Sequence, residues 1–298
     1  MKLSLIPRIK ELYDQKVNII QYLRGIENRK NNSIEDILIS YDFQAGSYIE
    51  IIENDLSYIT AYTDELFKII NTYCTSKHTI LEVGVGEATT LCHLRKLFPS
   101  EAKFYGFDIS WSRISKGVEY LKRNNVEASL FVSDLFLTPL ADSSIDVVYS
   151  SHSLEPNGGK EIEALKELYR ITKDCLILLE PASEFADSSA KKRMEENGYI
   201  SNLHGKIMEL GYDLKKYELF PVTAHNHNPT GLYVIKKNNS QPEAENMAPF
   251  TLRCPLSKEA LVEYPDHFFS PSSLISYPKI DGIPCLLIDY GILTSKHQ

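Results

Sequence analysis

The chain has 298 residues, 43% apolar and 24% charged, with a formal net charge of −8. That size and balance predict a soluble globular protein of one large and one small domain, and the acidic surplus weighs against a broad nucleic-acid-binding face. No apolar run is long enough to span a bilayer, the start lacks a signal-peptide pattern, and five irregularly spaced cysteines make no disulfide framework, so a reducing, cytoplasmic setting is expected.

Apolar residues at helical spacing (Ile9, Leu12, Tyr13, Val17, Ile20 and Leu23) predict one helix over residues 7–29. Ser33 then opens SIEDILIS, with Asp36 at the capping-box position. Residues 41–48, YDFQAGSY, read as a polar and aromatic interruption before a helix over 58–73, so residues 1–75 form a predicted helical cap. The stretch TILEVGVGEATT follows. Ile80, Leu81 and Val83 read as a buried strand, Gly84 and Gly86 as a turn, and 88–98 as a helix. Glycine lets the backbone turn sharply and approach a ligand closely. Thr89 stands where a dinucleotide fold wants its third glycine, and Glu82 precedes the first, an acid that repels a diphosphate and suits an amine-bearing ligand.

Further strands are predicted at 103–108, ending in Asp108, at 128–133, before Asp134, within DSSIDVVYS, and at 175–180. Helices at 111–124 and 160–172 alternate with them, which implies a doubly wound parallel α/β sheet. A helical stretch over 188–210, split by Gly198, precedes strands at 214–222 and 231–237, whose short connection suits an antiparallel pair. Residues 238–248 are polar and aperiodic and read as a linker.

The E-x-G-x-G of residues 82–86 resembles motif I of the class I S-adenosylmethionine (SAM)-dependent methyltransferases. LTPLADSSIDVVYSSHSLEP resembles a stretch of the broad type-11 methyltransferase group, with Pro156 in place of that group's final histidine. DISWSR, HSLEPNGG, LLEPASE and HNPTGLYVIKK resemble a bacterial group associated with surface-polysaccharide biosynthesis. The resemblance implies a Rossmann-like SAM-binding domain over residues 76–238. It further implies Gly84 and Gly86 on the methionine side, Asp108 at the ribose, Ile109, Asp134 and Leu135 around the adenine, and Glu82 and Ser151 as further cofactor contacts. Each acid could instead be a cap or turn residue. Tyr48, with Gln44 and Ser47, is the expected contact from a cap closing over the cofactor, unless the segment is a loop between packing helices.

His152, just past the fourth strand, is the candidate general base, its ordinary pKa suiting that work near neutral pH; the alternative is packing beside the cofactor. His225, His227, Glu180 and Glu155 are candidate acceptor contacts, and the H-x-H of residues 225–227 lacks a third ligand, so no metal site is expected. In residues 249–298, LRCPLSKEAL and YPKIDGIPCLL resemble the Trm112-like fold. Ser257 replaces its second cysteine, so a small zinc-less α+β module is expected, acting as stabiliser, homodimer contact or acceptor-site wall. Asp281, Gly282 and Pro284 read as turn residues. The expected activity is methyl transfer to a small polar acceptor, at a hydroxyl of a sugar or nucleotide-linked sugar. The alternatives are RNA or protein methylation, or a non-catalytic SAM-binding subunit.

Overall fold

A computed structural model describes residues 2–223, 228–237 and 250–297. Its centre is β1 (Thr79–Val83), buried along its whole length. β1 pairs in parallel with β2 (Lys103–Asp108) on one side and with β4 (Ile145–Ser151) on the other. β3 (Ser129–Val132) and β5 (Thr172–Pro181) extend the parallel set. β7 (Thr230–Lys236) runs antiparallel to β5, and β6 (Asp213–Leu219) antiparallel to β7, giving the order β3-β2-β1-β4-β5-β7-β6. Strand order reverses between β1 and β4, so the crevice outside their carboxyl ends is the place for a ligand.

Alternate residues of each strand face opposite layers. Ile80, Phe104 and Val147 pack against α5 (Leu56–Tyr73), α6 (Thr89–Arg95) and α7 (Trp111–Arg123). Leu81, Phe107 and Val148 pack against α8 (Glu161–Ile171) and α10 (Leu203–Glu209). Both faces are covered, which is why these strands are nearly continuously apolar.

The N-terminal region departs from the single long helix expected over 7–29. It is two helices, α1 (Ile6–Asp14) and α2 (Ile19–Ile26), parted where Lys16 takes a φ of 61° and the Asn18 side chain accepts from Gln21 N at 3.2 Å. A capping side chain offers the backbone an alternative to continuing the first helix. α3 (Ile34–Asp42) begins with the Ser33–Asp36 capping box. The interruption after it is shorter than residues 41–48: beyond Gly46, at φ 102°, α4 (Ser47–Asn54) starts at once. The helical stretch of 188–210 divides into α9 (Ser188–Glu196) and α10 around Gly198, φ 66°.

Each part of this cap is tied to a different loop at the sheet's carboxyl rim. Asp42 accepts from Ser110 Oγ at 2.6 Å and Ser112 Oγ at 3.0 Å, at the start of α7. Ile49 N, in α4, donates to Glu87 Oε2 at 2.8 Å in the loop after β1. Asn32 Nδ2 donates to Pro156 O at 2.8 Å and Asn197 O at 3.0 Å.

Residues 250–297, expected as α+β, hold β8 (Val262–Glu263), β9 (His267–Ser270), β10 (Ile275–Ile280), β11 (Ile283–Pro284) and β12 (Ile292–Leu293), with a short 3-10 turn at Ile288–Tyr290. β10 and β11 form a hairpin through Asp281 and Gly282, both at positive φ, the conformation Asp-Gly turns favour. This small sheet docks on the open edge of β3. Leu286 N donates to Val132 O at 2.9 Å, and the Phe250 ring stacks on Tyr105 at 3.8 Å. An edge strand's unpaired backbone groups are thereby covered. Leu286 is fully buried in the same cluster as Leu81 and Phe107. Leu286→Ala is therefore expected to lower stability by roughly 2–5 kcal/mol. In urea, the fluorescence of Trp111, whose Nε1 donates to Ile280 O at 3.4 Å, and the far-ultraviolet dichroism should fall in one shared transition. Two separate transitions would mean that the C-terminal sheet is not part of the core.

Candidate active site

The turn after β1 is built by glycines that no other residue replaces. Gly84 and Gly86 have φ of 61° and 53°; a Cβ on the first would lie 2.2 Å from Ser153 Cβ, and on the second 2.4 Å from Arg113 Nη2. Three loops thus meet without side chains between them: those after β1 and β4, and the start of α7.

Asp108, the last residue of β2, accepts from Gly86 N at 3.0 Å and from Ser110 N at 2.9 Å. Asp134 accepts from Phe136 N at 2.9 Å, and burial pushes its carboxyl above the ordinary range. Asp108, Ile109, Asp134, Leu135, Gly84, Ser151, His152 and Tyr48 border one pocket, together with Tyr41 from the cap. Ser151 Oγ is tied to Tyr62 OH at 2.7 Å. Of the other cap residues expected here, Gln44 donates to Ser40 O and Ser47 to Gln44 O, so both side chains serve the local turn.

Arg113 and Glu87 are the residues that sequence reasoning missed. Arg113 is buried, with its guanidinium 4.7 Å from the Tyr48 ring centre and 5.5 Å from that of Tyr41. Its Nη1 is 4.0 Å from Asp108 Oδ2 and its Nε 3.8 Å from Glu87 Oε1. Burial opposes its charge, but Asp108, Tyr48 and Glu87 outweigh that and hold the pKa above its usual value. Both Arg113 Nε and Glu87 Oε1 are buried without a hydrogen-bond partner. The available signal was positional: DISWSR puts Arg113 on the first turn of the helix that follows Asp108.

Two carboxyls depart from expectation. Glu82 borders the wider cleft but is not a plain exposed carboxylate: it is buried, accepts from Tyr149 OH at 2.8 Å, and burial pushes its pKa up to about 8. Glu180 does not line the acceptor space. It is fully buried, and its oxygens accept from Ser153 N at 3.0 Å, Leu154 N at 3.1 Å and Glu155 N at 3.1 Å, which shapes the turn carrying those residues.

His152 sits at φ 54°, its N donating to Leu179 O. Its Nδ1 is 2.7 Å from Glu155 Oε2 and its Nε2 2.9 Å from Thr230 Oγ1. A neutral ring satisfies both by donating from Nδ1 to the carboxylate and accepting from the threonine hydroxyl. Burial opposes protonation, yet Glu155 and Glu180 raise the His152 pKa above 6.5. Glu155 stays below the ordinary range despite burial, because His152, Tyr199 and Asn228 bond it. His152 stands where the pocket opens into a wider cleft bordered by Tyr13, Tyr58, Tyr62, Glu155, Arg193, Tyr199, Asn228 and Thr230. His225 and His227 lie outside the described residues. Among the described residues no group of three or more His, Cys, Asp or Glu is arranged to hold a metal ion.

The Glu82 environment has a pH signature. A carboxyl whose folded pKa lies near 8 contributes stability that is present below its unfolded value, near 4.5, and lost as pH rises through 8. Glu82→Gln is expected to match the parent protein in urea stability at low pH and to exceed it above pH 8. A stability difference that does not change with pH would show that Glu82 has the same pKa folded as unfolded.

Residues 80–175 match the family described as a methyltransferase domain. No curated protein matches the chain. Among solved structures, a chain of the complex between the Haloferax volcanii Trm112 methyltransferase activator and a methyltransferase aligns over 65% of this chain and 94% of its own length, at 13% identity and a TM-score of 0.51, which is a likeness of fold. Magnesium protoporphyrin IX methyltransferase from Synechocystis PCC 6803 aligns over 60% of this chain and 83% of its own, at 12% identity and a TM-score of 0.47. A SAM-dependent methyltransferase from Methanosarcina mazei aligns over 57% and 96%, at 16% identity and a TM-score of 0.48. The matched family stretch runs from β1 into β5, the strands whose carboxyl ends build the pocket, so the chain carries a methyltransferase domain there, with SAM as its cofactor.

Proposed function

We propose that the protein methylates a hydroxyl of a small polar acceptor, a sugar or nucleotide-linked sugar, in the cleft beside the cofactor pocket. The pocket's residues fit SAM. The glycine turn leaves room that a Cβ would fill, and on the adjoining cleft Glu87 Oε1 and Arg113 Nε, 3.8 Å apart and without hydrogen-bond partners, are opposite charges suited to an amino-acid zwitterion. Asp108 would hold the ribose, Asp134, Ile109 and Leu135 the adenine, and the Gly84–Gly86 turn the methionine, with Tyr41 and Tyr48 shielding it from water.

When bound, SAM supplies a methyl group on a sulfonium, open to in-line displacement. The protein's share is orientation and proton removal. His152 takes the acceptor proton at Nε2, either directly once Thr230 Oγ1 gives way or through that hydroxyl. Glu155 keeps the other ring proton on Nδ1 and stabilises the imidazolium that forms. Support comes from the His152–Glu155 pair itself, at 2.7 Å, standing where pocket and cleft meet. Tyrosines and asparagines around the cleft suit a hydroxyl-rich molecule.

We read residues 250–297 as a built-in Trm112-like stabiliser. They brace the loop that carries the adenine wall: Leu286 N bonds Val132 O, Arg253 N bonds Pro139 O, and Lys258 Nζ donates to Thr138 O at 2.9 Å.

Asp108→Ala is expected to weaken binding of S-adenosylhomocysteine by roughly tenfold or more, as loss of a charged hydrogen-bonding group does; calorimetry giving an unchanged affinity would sink the ribose assignment. His152→Gln should slow turnover by about two to four orders of magnitude with cofactor affinity intact. The parent's rate should rise with pH through a limb above 6.5 that the variant lacks, because the base works deprotonated. Equal turnover would remove His152 from the chemistry. Methyl-labelled SAM in a cell extract should label the small-molecule or glycan fraction. Label in RNA or protein would overturn the acceptor class, and no label with cofactor still bound would mark a non-catalytic subunit.

A further inference from the structure

The cleft wall beyond His152 holds two buried polar atoms that the fold leaves unmatched. Arg193, on α9, has its Nη1 buried without a hydrogen-bond partner. Its guanidinium lies 5.6 Å from the centre of the Tyr199 ring. Asn228 has its Oδ1 buried and unpartnered, while its Nδ2 is 3.3 Å from Glu155 Oε2. Glu155, the acid of this wall, is already engaged by His152 and Asn228, so it does not serve as counterion to Arg193. Arg193 and Asn228 border the same cleft as His152 and Tyr199.

A buried donor without a partner costs stability, and a charged one costs more. The fold retains both this donor and an orphaned acceptor on the wall of a ligand-sized cleft, next to the histidine pair. A guanidinium prefers a carboxylate or phosphate oxygen to any neutral partner, and an amide oxygen prefers a hydroxyl. We infer that the acceptor carries an anionic oxygen group, a carboxylate or a phosphate, which docks on Arg193, while one of its hydroxyls donates to Asn228 Oδ1. The anion holds one end of the molecule and the asparagine sets its rotation, so that a further hydroxyl faces His152 and the methyl group. This rests on the reading of the cleft as the acceptor site. It narrows the acceptor from polar to acidic, and assigns Arg193 as a specificity-determining residue.

The test uses the full chain with methyl-labelled SAM in a cell extract, and separates the labelled small molecules on an anion exchanger at neutral pH. The labelled product is expected to be retained. Phosphatase treatment releases it if the anion is a phosphate monoester and leaves it bound if the anion is a carboxylate or a phosphodiester, which phosphodiesterase followed by phosphatase then separates. With that purified acceptor, Arg193→Gln should raise KM by roughly tenfold or more, the loss of a charged hydrogen bond, with kcat and the affinity for S-adenosylhomocysteine nearly unchanged. Arg193→Lys should recover part of the loss. A labelled product that passes through the exchanger as a neutral molecule overturns the inference and leaves hydroxyl methylation standing. So does an unchanged KM in Arg193→Gln. Label confined to RNA or protein overturns both.

Discussion

The carboxylate of Asp108 is the joint on which the rest of the site depends. It accepts from the backbone of Gly86 and of Ser110, so the end of β2 fixes both the turn after β1 and the start of α7. Those bonds need Gly86 in the left-handed region with nothing on its Cα, because Arg113 fills the space above it. Arg113 in turn stacks on two tyrosines of the cap and reaches towards Glu87, whose other oxygen takes the Ile49 amide. A chain of contacts thus runs from the sheet's central strands into the N-terminal helices.

Two peripheral regions brace opposite parts of the rim. The N-terminal helices hold the loops after β1, β2 and β4 through Glu87, Asp42 and Asn32. The C-terminal sheet holds the loop after β3 through backbone pairing at Val132 and Pro139. Neither makes a layer of the central sheet, yet each limits how far the pocket walls move. Loops that carry ligand contacts are ordinarily the least stable parts of a domain, so such bracing stiffens the site where it matters.

The buried carboxyls divide by what surrounds them. Glu82 is buried with the Tyr149 phenol donating to it, and burial outweighs that bond and pushes its pKa up to about 8. Glu180 is raised to about 7 by burial even though three backbone amides point at it, and it acts by shaping the turn after β4. Glu155, equally buried, faces a histidine, a tyrosine and an asparagine amide and remains ionised. The charge next to His152 is therefore kept, while the charge under the glycine turn is suppressed. Environment, not residue type, sets each role.

The doubly wound sheet was legible in the sequence because its evidence is local: apolar runs of strand length, glycines at the strand–helix turn, acids at successive strand ends, and Asp-Gly at a hairpin. The positions of Gly84, Asp108, Asp134 and His152 followed from the same alternation, since a parallel strand's end has one place to go. What local pattern did not decide was who faces whom. The break between α1 and α2 came from a capping Asn18 that periodicity overlooks, and α4 began inside a stretch that reads as polar. Glu180 reads as a ligand-facing acid in the sequence, yet packing buries it fully, and nothing in the local pattern marks Arg113, Glu87 and Arg193 as neighbours of the cleft. The sequence by itself determined the order of strands and helices and the turn chemistry, because these depend on neighbours a few residues apart. Only the tertiary structure decided which charges are buried, paired or left open to a ligand, because those depend on contacts between residues far apart in the chain.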